Sequence, residues 1–144
     1  MSYLNDYSAA AARQERRDRL LARMALGLLA LLVIVGSLYL WFKNYRQEQA
    51  ARQFLTLLQR EDYPNAYALW GCKVETPCPH YDYKSFQEDW GPSSAAGKVR
   101  SFRLGRSRET GSGVIIPVVV NDRPPVKLWV ETKTGVLGFA PPLL

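Results

Sequence analysis

The sequence predicts an α+β protein: a single N-terminal transmembrane helix followed by a small external domain in which helices precede an antiparallel sheet. Three observations carry this expectation. Residues 24–42 read MALGLLALLVIVGSLYLWF, nineteen positions without a charge, an amide side chain or a proline. From Lys43 to Trp90 the apolar residues recur at helical spacing, and after Lys98 the composition turns to β-branched residues punctuated by TGSG, NDRPP and KTG. The chain has 144 residues, 47% hydrophobic and 22% charged, so it holds one small core and excludes a large multidomain enzyme, a disordered chain or a coiled-coil rod.

Residues 24–42 form the predicted span. At ~1.5 Å per residue they make about 28 Å of helix, matching the ~30 Å of hydrocarbon in a bilayer. A helix buried in a soluble core keeps a polar stripe unless it is fully enclosed, and the rest of this chain is too short to enclose it. A cleaved signal peptide ends in a small-x-small site, whereas this stretch ends in Leu40, Trp41, Phe42 and Lys43. An uncleaved anchor is therefore expected.

Orientation follows from the flanking charges. Arg13, Arg16, Arg17, Arg19 and Arg23 precede the span and Lys43, Arg46 and Arg52 follow it, five against three, which places the N-terminus in the cytoplasm. Residues 1–23 are then a cytoplasmic basic arm of net charge +2, from five arginines less Asp6, Glu15 and Asp18. Attraction to anionic headgroups accounts for that charge without a nucleic-acid partner. Arg23 on one side and Tyr39, Trp41, Phe42, Lys43 and Tyr45 on the other are the expected interfacial anchors. Gly27, Ala30 and Ser37 fall on approximately one helical face, which suits either close approach of another membrane helix or plain lipid contact. The expected location is the inner (cytoplasmic) membrane, with the C-terminal domain periplasmic or extracellular.

Cys72 and Cys78, in GCKVETPCPH, both follow the span, and an oxidising compartment would close them into a short disulfide loop worth about 2 kcal/mol on chain-entropy reasoning. Free thiols rank second. A metal site adding His80 and Asp82 ranks third, because zinc commonly takes more closely spaced cysteine pairs.

Residues 43–60 are predicted as an amphipathic helix burying Ala51, Phe54, Leu55 and Leu58, able to run straight on from the bilayer. Within the remainder of the domain, residues 61–144, Asp62 and Pro64 signal a second helix through Ala66, Tyr67 and Trp70, ended by Gly71. Asp82 is the expected N-cap of a third, with Phe86 and Trp90 one turn apart and a stop at Gly91 and Pro92. Four strands follow, at 98–108, 114–121, 126–132 and 136–140. The third alternates, with Val126, Leu128 and Val130 on the core face. The second is apolar on both faces, as a central strand would be, yet Pro117 removes a ladder donor and demands a bulge or an unpaired side.

The order FLTLLQREDYPNAYALW, then SFQEDW, then VKLWVETKTGVLGF resembles the nuclear transport factor 2-like, or cystatin-like, α+β cone from about Gln47 onward. That resemblance implies a curved sheet wrapped around helices, often with a concave pocket, in a fold that serves enzymes, ligand binders and structural domains alike. Enzymes of this group converge an Asp or His with Tyr in the pocket. Asp62, Asp82, Asp89 and His80 have no matching spacing here, and the first two read as helix caps. A cytoplasmic tail, one span and a small external domain also resemble the inner-membrane bridging component of type IV secretion systems, although this external part is shorter than that component's usual domain.

Taken together, the sequence predicts a non-catalytic accessory subunit that packs among other integral membrane subunits and caps them with its external domain. A respiratory or photosynthetic electron-transfer complex fits, as does an envelope machine. No cofactor is expected in the span, which has no His or Cys and no Met after Met24. Docking candidates are the NDRPP turn, the cysteine loop and the terminal APPLL. The competing expectation is a membrane-tethered small-molecule binder or enzyme with an open pocket; plugging by Phe54, Trp70, Phe86 or Trp129 would oppose it.

Overall fold

A computed structural model describes residues 2–140, with side chains from Tyr7 onward; the Pro-Pro-Leu-Leu part of the predicted docking tail lies outside the described residues. The chain divides into two compact units, Met1–Phe42 and Lys43–Leu144.

The first unit is one helix, α1 (Ser2–Phe42), so the basic arm continues into the apolar stretch without a break. Alanine, leucine and arginine, all strong helix formers, dominate it. Every large apolar side chain from Met24 to Phe42 is at least 52% exposed, which leaves the stretch uncovered on all faces.

The second unit begins with a turn at Lys43 and Asn44, so the apolar stretch and the amphipathic helix are two separate helices rather than one continuous element. Helix α2 (Tyr45–Gln59) buries Ala51, Phe54, Leu55 and Leu58, the four positions of its apolar stripe. Its end is a Schellman closure: Glu61 N–H donates to the Leu58 carbonyl at 3.1 Å and Asp62 N–H to the Leu57 carbonyl at 2.9 Å. Glu61 accordingly adopts φ 59°, a conformation that normally selects glycine. Helix α3 (Tyr63–Ala68) starts with Pro64 in its first turn, and Gly71 at φ 75° closes the turn after it. The Asp62 side chain takes the N-cap position without a capping hydrogen bond and instead accepts from Asn65 at 2.7 Å. Helix α4 (Tyr83–Trp90) is capped as expected, with Asp82 accepting from the Ser85 backbone N–H at 2.7 Å and Gly91 at its end.

The strands are β1 (Phe102–Leu104), β2 (Arg108–Thr110), β3 (Gly113–Val120), β4 (Val126–Glu131) and β5 (Leu137–Phe139). All pairings are antiparallel in an open sheet, with β1 and β2 successively beside β3, then β4, then β5. The expected first strand is thus split. Leu104 lies opposite Val118 and Arg108 opposite Ile115, so Gly105, Arg106 and Ser107 face only Pro117 and Ile116, and the extra residue is a bulge. Gly105 N–H donates to the Pro117 carbonyl at 2.7 Å; the return bond of such a pair needs the N–H that proline lacks. The ladder breaks where that donor is missing.

Helices α2, α3 and α4 cover one sheet face. Val114, Ile116, Val118, Leu128, Val130 and Leu137 point into this core, while Ile115, Pro117 and Trp129 occupy positions of the opposite face. Val126 was expected in the core but is 39% exposed at the sheet's margin, where the helices no longer cover β4.

Candidate functional site

Three features carry chemistry outside the packed scaffold: the apolar surface of α1, the disulfide loop, and the two concave surfaces of the α+β unit.

On α1, Gly27, Ala30 and Ser37 are exposed, and Gly27 has open space where a Cβ would stand. The Ser37 hydroxyl donates to the Ile34 carbonyl at 2.8 Å, which satisfies it inside the helix. Tyr39, Trp41, Phe42 and Tyr45 are 64%, 85%, 60% and 49% exposed, the first three at the end of one helix and Tyr45 at the start of the next. Arg23 lines a shallow basic surface with Arg16, Arg19 and Leu20. The Lys43 ammonium lies 2.8 Å from the Glu109 carboxylate, so this anchor faces strand β2.

Cys72 and Cys78 are disulfide-bonded, with Cα atoms 5.3 Å apart, which rules out the free-thiol and metal readings for this pair. The loop is held from below by Tyr67. Its fully buried hydroxyl donates to the Tyr81 carbonyl at 2.6 Å and accepts from the Cys78 N–H at 3.2 Å. His80 is exposed, and Asp82 is engaged as the α4 cap. The Ser85 backbone bond, aided by the Ser85 hydroxyl, holds the Asp82 carboxyl below the usual range.

Aromatic rings fill the space between helices and sheet. Phe54 meets Trp90 edge-on with centroids 5.1 Å apart and Trp70 at 5.9 Å, while Phe86 lies 5.2 Å from Tyr67 and 6.2 Å from Trp70. Phe54, Tyr67 and Phe86 are wholly buried. Three of the four residues named as plugs therefore occupy the interior. Trp129 does not: it lies on the opposite sheet face, with its indole over Gly113, where a Cβ would collide with the ring.

What remains of a cavity sits at the margin of the core, a cleft of about 360 Å³ bounded by Asp89, Trp90, Ala96, Arg123, Val126 and Phe139. Asp89 accepts a hydrogen bond from the Tyr81 hydroxyl at 2.9 Å. Burial first, then the Asp89 bond and charge, push Tyr81 far above the ordinary tyrosine value of 10. The phenol stays protonated and serves as a donor. Asp62, Asp82 and Asp89 are each engaged by neighbours on their own segment, Asn65, Ser85 and Tyr81 respectively.

A second groove, of about 630 Å³, opens on the opposite sheet face between Arg106, Arg108, Ile115, Pro117 and Lys127. Sequence reasoning missed it, although KVRSFRLGRSR offers five basic residues in eleven positions with no acid. By local pattern alone that run reads only as strand.

Searches of protein-family models, of curated proteins and of solved structures find no match to this chain.

Proposed function

We propose that this chain is a non-catalytic, single-pass membrane subunit that inserts α1 among the helices of a larger inner-membrane assembly and covers it with the α+β unit on the outer side. The observation that carries this reading is the pairing of a nineteen-residue apolar stretch exposed on every face with a small domain whose interior is filled by Phe54, Tyr67, Trp70 and Phe86. By length and composition α1 suits a bilayer, and burying such a surface in lipid or among other apolar helices is strongly favourable. In this reading the N-terminal arginines are cytoplasmic and the disulfide belongs to an oxidising compartment. The α+β unit is read as a filled variant of the nuclear transport factor 2-like cone, supported by the succession of three helices and a meander sheet packed on one face. An electron-transfer complex or an envelope machine, including a secretion-system bridge, would offer suitable neighbours.

Purification in mild detergent with identification of co-purifying chains tests the proposal. Stoichiometric integral membrane partners are the expected result; a monodisperse monomer without partners overturns it. One observation favours a second reading, a tethered small-molecule binder: the marginal cleft presents an aromatic floor from Trp90 and Phe139 beside Asp89 and Arg123. Retention of a small molecule by the purified monomer, lost in Phe139→Asp, would select it.

A further inference from the structure

We propose that the groove between β2 and β4 on the uncovered sheet face binds the phosphate of an anionic phospholipid in the membrane that holds α1. The inference rests on the membrane-anchored reading above and adds a ligand site to it. Arg106, Arg108 and Lys127 bring three cations into this groove, and among the described residues none of the three has a carboxylate within ion-pair distance. Of the other three cations of the same basic run, Lys98 is matched with Glu61 at 3.0 Å and Arg103 with Asp122 at 3.0 Å, whereas Arg100 is outside the groove. Glu109, the one acid lining the groove, is held by Lys43 at 2.8 Å. Three cations without a matching carboxylate therefore meet in this groove, where guanidinium forks, whose geometry matches phosphate oxygens, stand beside an apolar floor of Ile115 and Pro117.

The groove is also tied to the start of the α+β unit. Ser107, between the two arginines, accepts from the Asn44 amide at 3.1 Å and donates to Glu48 at 2.7 Å. Asn44 is two residues beyond Phe42, so chain connectivity alone keeps their Cα atoms within about 7.6 Å. The bulge that Pro117 creates therefore places Arg106 and Arg108 beside the first residues of the α+β unit. In the membrane-anchored reading a unit tethered this shortly to a bilayer meets anionic phosphodiester headgroups, and each basic residue near a lipid surface adds roughly fivefold to the attraction.

The test uses the full chain in neutral detergent and follows the unfolding temperature of the α+β unit by tryptophan fluorescence. Dihexanoyl phosphatidylglycerol is titrated against dihexanoyl phosphatidylcholine, inorganic phosphate and an oligo-glutamate peptide. The expected result is a rise in unfolding temperature with phosphatidylglycerol only. The concentration needed increases roughly 100-fold in Arg106→Gln/Arg108→Gln/Lys127→Gln and roughly fivefold in Lys127→Gln alone, while Lys73→Gln/Lys133→Gln, at exposed positions outside the groove, stays at the wild-type value. Because the three side chains lie at the surface, an unchanged unfolding temperature without ligand establishes that the variants are folded; the single variant carries the test if the triple one is not. An equal response to inorganic phosphate assigns the groove to free phosphate, an equal or stronger response to the peptide assigns it to a protein segment, and an undiminished response in the variants removes the groove altogether; each overturns the proposal. Carbonate extraction separates the two readings. A chain washed from membranes refutes both the anchor and the lipid site, whereas a chain that stays in the membrane without a phosphatidylglycerol response refutes the lipid site alone.

Discussion

At the scale of single residues, two side chains hold the loops of the α+β unit in place. Asn121 ends β3 at φ 50°; its oxygen accepts from the Arg100 and Ser101 amides at 2.8 and 3.2 Å, and its nitrogen donates to the Ala96 and Lys98 carbonyls at 3.0 and 2.8 Å. Asn121→Asp keeps the acceptor but sets a carboxylate against two carbonyl oxygens, so it should lower stability by about 1–3 kcal/mol in a urea titration. Asn121→Gly tolerates the backbone angle yet loses all four bonds, and a similar loss there would assign the effect to the bonds rather than to φ. Tyr67→Phe leaves the Cys78 N–H and the Tyr81 carbonyl without their shared partner, at an expected cost of about 1–3 kcal/mol. Tyr81 gives a pH dependence. Burial and Asp89 raise its folded pKa above 10, as burial does more modestly for Tyr63 and Tyr83. Above pH 10 the unfolded chain therefore releases protons that the folded one retains, and stability falls with rising pH. Thermal melts from pH 8 to about 11 should show this slope, and Tyr81→Phe should flatten it.

At the scale of elements, the packing of β3 against β4 is fixed by a glycine. Gly113 lies beneath the Trp129 indole, and a Cβ there would meet Cε2 and Nε1 of the ring, so Gly113→Ala must displace the indole or open the strand end. Overpacking of this kind costs about 1–3 kcal/mol, and a changed near-ultraviolet spectrum should accompany the lowered denaturation midpoint. The elements themselves were largely legible. The stripe of Ala51, Phe54, Leu55 and Leu58 identified α2, Asp82 and Gly91 bounded α4, and the last three of the four expected strands followed from their turns, while the first is two strands. The conflict at Pro117 was legible as well, but its resolution was not, because a missing donor says nothing about which neighbouring strand gives way. The boundary between the apolar stretch and the amphipathic helix was legible at 42/43, but the turn that separates them was not. At that turn Asn44 reaches Ser107, sixty-three residues away, and Lys43 meets Glu109, contacts that no local pattern encodes. Both grooves on the α+β unit were missed because each gathers side chains from separate strands and loops, as when Lys127 joins Arg106 and Arg108.

At the scale of the whole molecule, the outer location proposed for the second unit rests on redox chemistry as well as on charge. Cys72 and Cys78 close a loop of sequence separation six, and cross-linking a loop of that size removes about 2 kcal/mol of chain entropy from the unfolded state. Cytosolic reductants would keep such a pair as thiols, whereas an outer compartment preserves the bond. The charge argument is weaker, since five basic residues before the apolar stretch face three after it. Topology and oxidation thus make one joint prediction. In intact cells permeable only at the outer envelope, a membrane-impermeant maleimide should leave the chain unlabelled until an impermeant reductant is added, and should then modify both cysteines. The same reduction should lower the unfolding free energy of the purified chain by about 2 kcal/mol, measured with and without reductant in mild detergent. Labelling without reductant would mean that the bond does not persist. Protection even after reductant would place the α+β unit on the cytoplasmic side, reverse α1 in the bilayer and remove the outer-face role proposed for this chain.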